Sequence, residues 1–514
     1  MVVKNFRRAA GALAILGAFA AAPALGCTGR VDVAGACEPG EQQLCYTGPE
    51  GTEGVGQCRS GVRACSAGGE GFGPCTGQIL PSAEDCGLPG DEDCNGEAGA
   101  CTGASEWARR FTGTDYQTLD SLAVTPGGEV VLGASFSGAL DAGQPVGILA
   151  SADKGAAALR LGATGESVSG TLVDGFPGRM RLGVAAAGAV AGAFSFGGSI
   201  DFAGQTFIAE GSGDLLVYIL SPTGELGYVR QVHGTDYTTV DAVDVTPAGD
   251  MLVAGKTHGA VDLGGGPLDG PEWASFLARY APSGEHVWSQ LLDPTVVAEV
   301  QFDDQGNVVL NGWYGADGSM SVTLLDANGA SLWSKTFAPA SPDSYGSMNV
   351  APAPGGGVFV GGAFTGTFDL GAGPVTAKGD YDAFLVKLGP GGEYLWGKTF
   401  GTGDPQFIYD VACDAAGNVA LTASFRGTID FGAGALYSSS TLADDVAVAK
   451  LGPDGAPLWS RRFGEGSDLL AWSIVTDAEG AIYLGGDVLG DIDFGTGPLP
   501  GTGHADVFVA KLAP

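Results

Sequence analysis

The residues best suited to chemistry are the carboxylates, and two spacings stand out. The first is Asp91-x-Asp93-x-Asn95-Gly96. Alternate oxygen-bearing side chains point to one centre and the glycine permits a sharp turn, the opening of a calcium loop, with Glu97 or Glu84 as a further oxygen donor. The twelfth position, where a helix–loop–helix calcium site needs a carboxylate, is Thr102. Calcium at Asp91, Asp93, Asn95 and Glu97 is set against an acidic turn stapled by Cys86 and Cys94. Zinc held by thiolates is disfavoured where cysteines are oxidised. The second spacing is Gly-x-x-Asp-(Phe/Leu)-Gly around Asp262, Asp369, Asp430 and Asp493, with looser copies at Asp141 and Asp201. These aspartates either line a cation site in each unit or accept backbone N–H bonds that fix a turn. Their recurrence favours the turn. Pairing each with the base ending a strand of its own unit, such as Asp369 with Lys387, is a further expectation.

Other chemical patterns dissolve into the repeat. Gly392-Glu-Tyr-Leu-Trp-Gly397-Lys398-Thr399 fits a phosphate-binding loop letter for letter. Asn328-Gly329-Ala-Ser-Leu-Trp333-Ser-Lys335-Thr336 and Asp454-Gly455-Ala-Pro-Leu-Trp459-Ser-Arg461 occupy the same register. The glycine therefore reads as a turn residue and the lysine as a strand residue, so no nucleotide is expected. His233, His258, His286 and His504 lack metal-ligand spacing. No serine stands on a strand-to-helix nucleophile turn. Cys413 reads as a buried, inert thiol.

What must position these residues is a unit of about 60 residues, given by the steps between Asp201 and Asp262, Asp369 and Asp430, and Asp430 and Asp493. Such a period marks a supersecondary unit repeated around a ring or along a stack. A second landmark is Trp followed by a short basic and apolar strand, at Trp107, Trp288, Trp333, Trp396 and Trp459, with Tyr228 in the same slot. These rings are expected to pack between units. A third is a strand ending in a base, as in Phe384-Leu-Val-Lys387 and Val507-Phe-Val-Ala-Lys511. Alternation over 130–136 and 358–364, and turns such as Asp414-Ala-Ala-Gly417-Asn418, complete about four antiparallel strands per unit. Ala185–Ala193, alanine-rich enough for a helix, takes its place in the repeat as strand.

Seven units follow: 107–160, 161–227, 228–287, 288–332, 333–395, 396–458 and 459–514. The fourth is shortened and lacks the Asp-Phe-Gly phrase. The chain ends after a base-ending strand and the region starts with a Trp strand. The first strand should therefore complete the last blade and close the ring. The expected fold class is all-β: a seven-bladed β-propeller of four-stranded blades over 102–514, preceded by a small disulfide-rich, loop-rich module. These phrases resemble the bacterial seven-bladed propeller repeats of the SBBP type. That resemblance implies the fold and no single activity. The Asp-Gly-x-x-x-Trp form is also similar to the Trp motifs of quinoprotein propellers, but neither eight blades nor their ligand set is present.

The 514 residues include 90 Gly and 27 Pro, leaving little room for helices, and carry a net charge of −34. That charge excludes phosphate-backbone binding, so no nucleic-acid partner is expected. Lys4, Arg7 and Arg8 followed by the apolar Ala9–Ala22 read as an export signal over 1–26. Ala24-Leu25-Gly26-Cys27 resembles the lipobox of bacterial lipoproteins, which implies acylation at Cys27 and anchoring by lipid alone. Thr28 after the cysteine implies the outer membrane. Cleavage after Ala24, giving a periplasmic or secreted protein, is the alternative. Of ten cysteines, Cys37, Cys45, Cys58, Cys65, Cys75, Cys86, Cys94 and Cys101 lie together. They are expected to form four disulfides of unassigned pairing in a module over 27–101 too poor in apolar residues to fold unstapled. Phrases such as Cys45-Tyr46-Thr47-Gly48-Pro49 and Asp91-Glu92-Asp93-Cys94-Asn95-Gly96 resemble a Cys/Asp-rich metal-binding motif of secreted proteins from certain Gram-negative soil bacteria.

The functional expectation is an exported cell-envelope binding or scaffold protein. Its ligand, an envelope protein or polysaccharide, would sit on propeller loops such as 204–213 and 433–445. One alternative is a glycan-active hydrolase or lyase using channel carboxylates. Another is a calcium-stabilised structural surface protein. An enzyme would gather two or three acids of shifted pKa in the channel, whereas a binder would show an aromatic patch on loops.

Overall fold

The computed structural model describes residues 37–49, 51–81, 103–175, 177–210, 212–292, 295–314, 318–340, 344–440, 444–464 and 468–514. The signal segment, Cys27, Asp91, Asp93, Asn95, Glu97, Cys86, Cys94 and Cys101 lie outside these residues. The chain divides into two compact units.

In the first unit, Gln42–Cys45 pairs antiparallel with Gly61–Ala64. Two disulfides, Cys37–Cys65 and Cys45–Cys75, hold the hairpin to the loops around it. Cys58 is disulfide-bonded as well and is buried. So small a unit relies on these cross-links.

In the second unit the described residues form seven four-stranded antiparallel groups. A representative blade runs from the inside outward as Gln406–Cys413, Val419–Phe425, Asp445–Leu451 and Pro457–Phe463. The other innermost strands are Gln117–Val124, Arg181–Val184, Thr238–Val245, Thr295–Phe302, Gly346–Ala353 and Asp468–Thr476. Blades are numbered 1 to 7 from Gln117–Val124 onward, so the representative is blade 6. Each innermost strand packs on the next around a closed circuit, from blade 7 back to blade 1. This is a β-propeller.

Burial explains the sequence pattern. The second strands Gly357–Phe364 and Val419–Phe425 are buried at every position, because both faces meet a neighbouring blade. They read as largely apolar runs, broken in the second by the buried Thr422 and Ser424. The outermost strand Tyr394–Thr399 alternates between half-buried and exposed. The core lies between blades: Phe359 and Leu385 of blade 5 share one cluster with Val411, Val419 and Leu421 of blade 6.

The ring closes as the sequence suggests. Ser105–Gly113 pairs with Asp506–Leu512, placing Trp107 opposite Lys511 as the outermost strand of blade 7. Gly103 N–H donates to the Ala513 carbonyl at 3.2 Å, and Ala513 N–H to the Ala104 carbonyl at 2.7 Å. The two chain segments thereby occupy the place where other blades have a covalent turn. Each sequence unit starting at a Trp strand is offset by one strand from a structural blade. Two local expectations change. Residues 185–189 form a turn between Arg181–Val184 and Val190–Phe196, because a type of hairpin closing on Gly188 (φ 85°) interrupts the alanine run. The segments 204–213 and 433–445 are not plain loops but carry the short strands Gln205–Ile208 and Ala435–Tyr437.

Candidate functional site

The repeated aspartates do not converge. Asp201, Asp262, Asp369, Asp430 and Asp493 each sit on a short hairpin between the second and third strands of their blades, whereas Asp141 ends the second strand of blade 1. Ile429 and Phe431 flanking Asp430 are buried, as are Val261 and Leu263 around Asp262, while the aspartates face outward. Asp262 accepts the N–H groups of Gly264 (2.8 Å) and Gly266 (3.1 Å), and Asp369 those of Gly371 and Gly373. Asp430 accepts from Gly432, and Asp493 from Gly495 and Gly497. Asp201 instead accepts the Thr206 hydroxyl. Satisfying the turn amides uses the carboxylate locally. The expected Asp369–Lys387 pair is absent: Lys387 Nζ donates to the Pro453 carbonyl at 3.0 Å and lies over the Phe359 ring. The strand-end bases instead meet other carboxylates, as Lys450 meets Asp414 (3.0 Å) and Lys511 meets Glu106 (2.9 Å).

The Trp row joins blades. The indole N–H groups of Trp107, Trp288, Trp333 and Trp396 each donate to a carbonyl in the turn of the following blade: Ala163, Ala327, Pro390 and Pro453. A glycine two residues on lies against the ring. A Cβ on Gly165 would come 2.7 Å from Trp107, and one on Gly392 2.8 Å from Trp333, both at positive φ. Trp459 packs the same way on Gly103, and Tyr228 on Gly284. Gly392 of the phosphate-loop-like string is thus a turn glycine under an indole, and Lys398 lies on an antiparallel strand. Cys413 is half-buried rather than buried, and burial pushes its thiol up to about 12. A thiol so raised stays protonated at neutral pH.

The groups that do converge were not singled out by sequence. Most sit on the innermost strands; Asp487 lies on the second strand of blade 7, Ile482–Leu489. Five of the seven innermost strands carry a β-bulge, at Asp120, Asp241, Ala298, Tyr409 and Trp472 in blades 1, 3, 4, 6 and 7. A bulge re-aims side chains out of the ladder. Around it, carboxylates bond across to the next blade. Asp120 accepts Met180 N–H (3.1 Å), Asp244 accepts Phe302 N–H (2.6 Å) and Glu299 accepts Val350 N–H (3.0 Å). Asp410 accepts Ile474 N–H (2.9 Å) and Asp487 accepts Leu119 N–H (2.8 Å). In blade 5 the same step is made by Asn349, whose amide donates to the Tyr409 carbonyl.

Burial makes these acids harder to ionise than free carboxyls. Burial pushes Asp120 up to about 6, opposed by its bonds from Ser135 and Met180. Burial lifts Glu299 to about 7, with the Asp244 carboxylate adding to the rise. Asp410 is raised well above the carboxylate range by burial and by Glu299, and Asp244 and Asp487 are raised by burial. Glu299 and Asp410 are half-buried rather than fully enclosed. Arg181, which donates to the Asp120 carbonyl, is the cation in this ring of strands whose charge offsets both Asp120 and Glu299.

Beside the acids runs a track of rings. Tyr381 lies 4.7 Å from Phe407, Phe407 stacks on Tyr409 at 6.3 Å with planes 15° apart, and Tyr409 meets Trp472 edge-on at 5.1 Å. Trp472 is 40% exposed and its indole N–H donates to Asp487. Tyr116, Tyr237 and Tyr345, each preceding an innermost strand, are exposed. The sequence signal for all this is a charged or aromatic residue inside an otherwise apolar strand, as in Ile408-Tyr-Asp410-Val411. Among the described residues no cluster of three or more His, Cys, Asp or Glu side chains is arranged to hold a metal.

No protein-family model and no curated protein matches the sequence. Among solved structures the chain is similar to the Dos1 propeller, at 10% identity over 80% of this chain and 96% of that one, with a TM-score of 0.39. It is likewise similar to the Pan2 WD40 domain of Neurospora crassa (10% identity, 78% of this chain and 95% of that one, TM-score 0.38). Prolyl oligopeptidase B from Galerina marginata matches at 10% identity over 76% of this chain and 51% of that one, with a TM-score of 0.40. The propeller assignment rests on the strand ladders above; these similarities add nothing about activity.

Proposed function

We propose that the protein is an exported, lipid-anchored binding or scaffold protein of the cell envelope, which holds its ligand at the aromatic end of the propeller axis. The track Tyr381–Phe407–Tyr409–Trp472 is the observation that carries this reading. Aromatic rings left at a surface offer large contact area at low entropic cost, and they cluster at recognition sites. Export and anchoring are supported by the basic and apolar N-terminus, by Cys27 in its lipobox-like context and by the disulfides of the first unit. The resemblance to SBBP-type repeats fits the same setting. The Asp91–Glu97 loop is proposed to take Ca2+ and to stiffen the Cys-rich unit.

A second reading is an enzyme acting on a glycan, favoured by the raised pKa of Glu299 and Asp410. A protonated acid beside an ionised one is the arrangement glycan hydrolysis uses. Against it, both carboxylates are engaged in the same blade-to-blade bond as Asp120, Asp244 and Asp487. Recurrence around a ring marks a structural device.

Cross-linking on intact cells, comparing the parent with Trp472→Leu, tests the binding reading. A stoichiometric envelope partner that is recovered with the parent and reduced at least fivefold with the variant is expected. Equal recovery from both would sink it.

A further inference from the structure

Two histidines lie where blade 2 passes into blade 3. His233 follows Leu226–Val232, the outermost strand of blade 2, and His258 follows Met251–Thr257, the second strand of blade 3. Asp214, the first residue of the third strand of blade 2, is wholly buried. The same position holds Asp445 in blade 6 and Asp506 in blade 7, each paired at 2.7 Å with an arginine, Arg462 and Arg110. Those arginines face the residue two beyond the aspartate, Ala447 and Phe508. In blade 2 the corresponding residue, facing Leu216, is the uncharged Gln231. Asp214 Oδ2 accepts from the Gln231 amide (2.6 Å), the Glu210 N–H (3.1 Å) and His233 Nδ1 (2.8 Å), while Oδ1 is buried without a hydrogen-bond partner. Blade 5 also lacks the arginine, but there both oxygens of Asp382 accept backbone N–H groups, from Lys378 and Gly379. Among the described residues, then, the counter-charge of Asp214 comes from an imidazole.

His258 stands between two more carboxylates. Its Nδ1 is 3.0 Å from Asp236 and its Nε2 3.4 Å from Glu272, and its ring meets Trp273 edge-on. Only an imidazolium can donate from both nitrogens. Asp236 also accepts the Ser212 hydroxyl of blade 2 at 2.8 Å, so the contact runs from blade 2 through Asp236 to blade 3. Glu210, 3.9 Å from His233, completes a set of four carboxylates around two histidines. Among the described residues no Lys or Arg pairs with any of the four, and the nearby Lys256 is held by Asp241 at 3.3 Å.

We infer that the junction of blades 2 and 3 is a pH-sensitive latch, closed while His233 and His258 carry protons and loosened when they lose them. A neutral His233 can keep its hydrogen bond but leaves the buried Asp214 without a counter-charge, which is costly. The exposed Glu272 contact contributes less. Imidazoles titrate between pH 5 and pH 8. Because protonation and closure favour each other, the latch is fastened at the acid end of that range and released as pH rises through it.

Hydrogen exchange of the full-length protein at pH 5.5 and pH 8, with labelling times scaled for the intrinsic rate, tests this. Scaled exchange over 212–220, 233–240 and 268–275 should be at least threefold faster at pH 8. Residues 445–463 of blade 6, where Asp445 has the permanently charged Arg462, should exchange alike at both. His233→Arg should keep 212–220 protected at pH 8. The double variant His233→Gln/His258→Gln should exchange fast over all three segments at both pH values. Equal protection of the parent at the two pH values overturns the inference. So does a double variant that keeps the parent's pH dependence, or a loss at pH 8 that reaches blade 6 equally, since either assigns the response to other groups. If 212–220 of His233→Arg still loosens at pH 8, the charge facing Asp214 is not the trigger and the inference falls.

Discussion

At the residue scale, the axial carboxylates set the pH response. Glu299 is held near 7 and Asp120 near 6, both above their ordinary values, chiefly by burial. A carboxyl whose folded pKa is raised binds its proton more tightly in the native state. Its stabilising effect is whole below the unfolded pKa and is lost as pH rises through the folded one. The propeller should therefore lose stability between pH about 4.5 and pH about 7. Glu299→Gln removes one contributor while keeping an acceptor for the Val350 N–H. The thermal midpoint of the variant should fall less between pH 5 and pH 8 than that of the parent. After discounting for its partial exposure, the difference should be on the order of 1–2 kcal/mol. A parallel fall in both proteins would mean that Glu299 titrates normally. The residues that stitch one blade to the next were invisible as a set in the sequence, because each looks like an isolated polar residue in a strand. Their common role appears only when equivalent ladder positions are aligned around the ring.

At the element scale, the offset between sequence unit and blade explains how the ring is fastened. The strand Ser105–Gly113 belongs to the first unit by sequence and to blade 7 by pairing. It covers the edge of Asp506–Leu512, which would otherwise expose unpaired backbone groups. The bonds Gly103 N–H to Ala513 and Ala513 N–H to Ala104 hold the two segments at turn distance. A circular permutant that joins Pro514 to Gly103 through a short Gly-Ser linker, with new termini at the exposed turn at Gly355, should fold. Its propeller unfolding free energy should stay within about 1 kcal/mol of the parent's, because the joined segments are already ordered. A permutant that aggregates or melts without cooperativity would show that the closing strand needs more than its ladder. The Trp strand and the shortened fourth unit were legible because their residue types repeat. The bulges were not, since a bulge is a relation between two strands.

At the scale of the whole molecule, the two compact units depend on different forces. The first is held by Cys37–Cys65 and Cys45–Cys75, whereas among the described residues the propeller has the free Cys413 and packs through clusters shared between blades. Reduction of the full-length protein should therefore abolish the order of the first unit, at a cost of about 2–5 kcal/mol per disulfide lost. The propeller transition should stay in place. Calcium chelation should lower the midpoint of the first unit without moving the propeller's. Differential scanning calorimetry with and without reductant, and with and without EDTA, resolves the two. A propeller transition that shifts on reduction would contradict the division of labour.

The sequence by itself determined the all-β repeat, its period, the strand that closes the ring and the turn role of the recurring aspartates, because each is a local pattern copied many times. The tertiary structure alone decided which residues meet at the axis. Asp244, Glu299 and Asp410 come from three separate blades, and Phe407, Tyr409 and Trp472 from two. Their proximity follows from the closure of the ring and the bulges that turn their side chains, and no spacing along the chain encodes either.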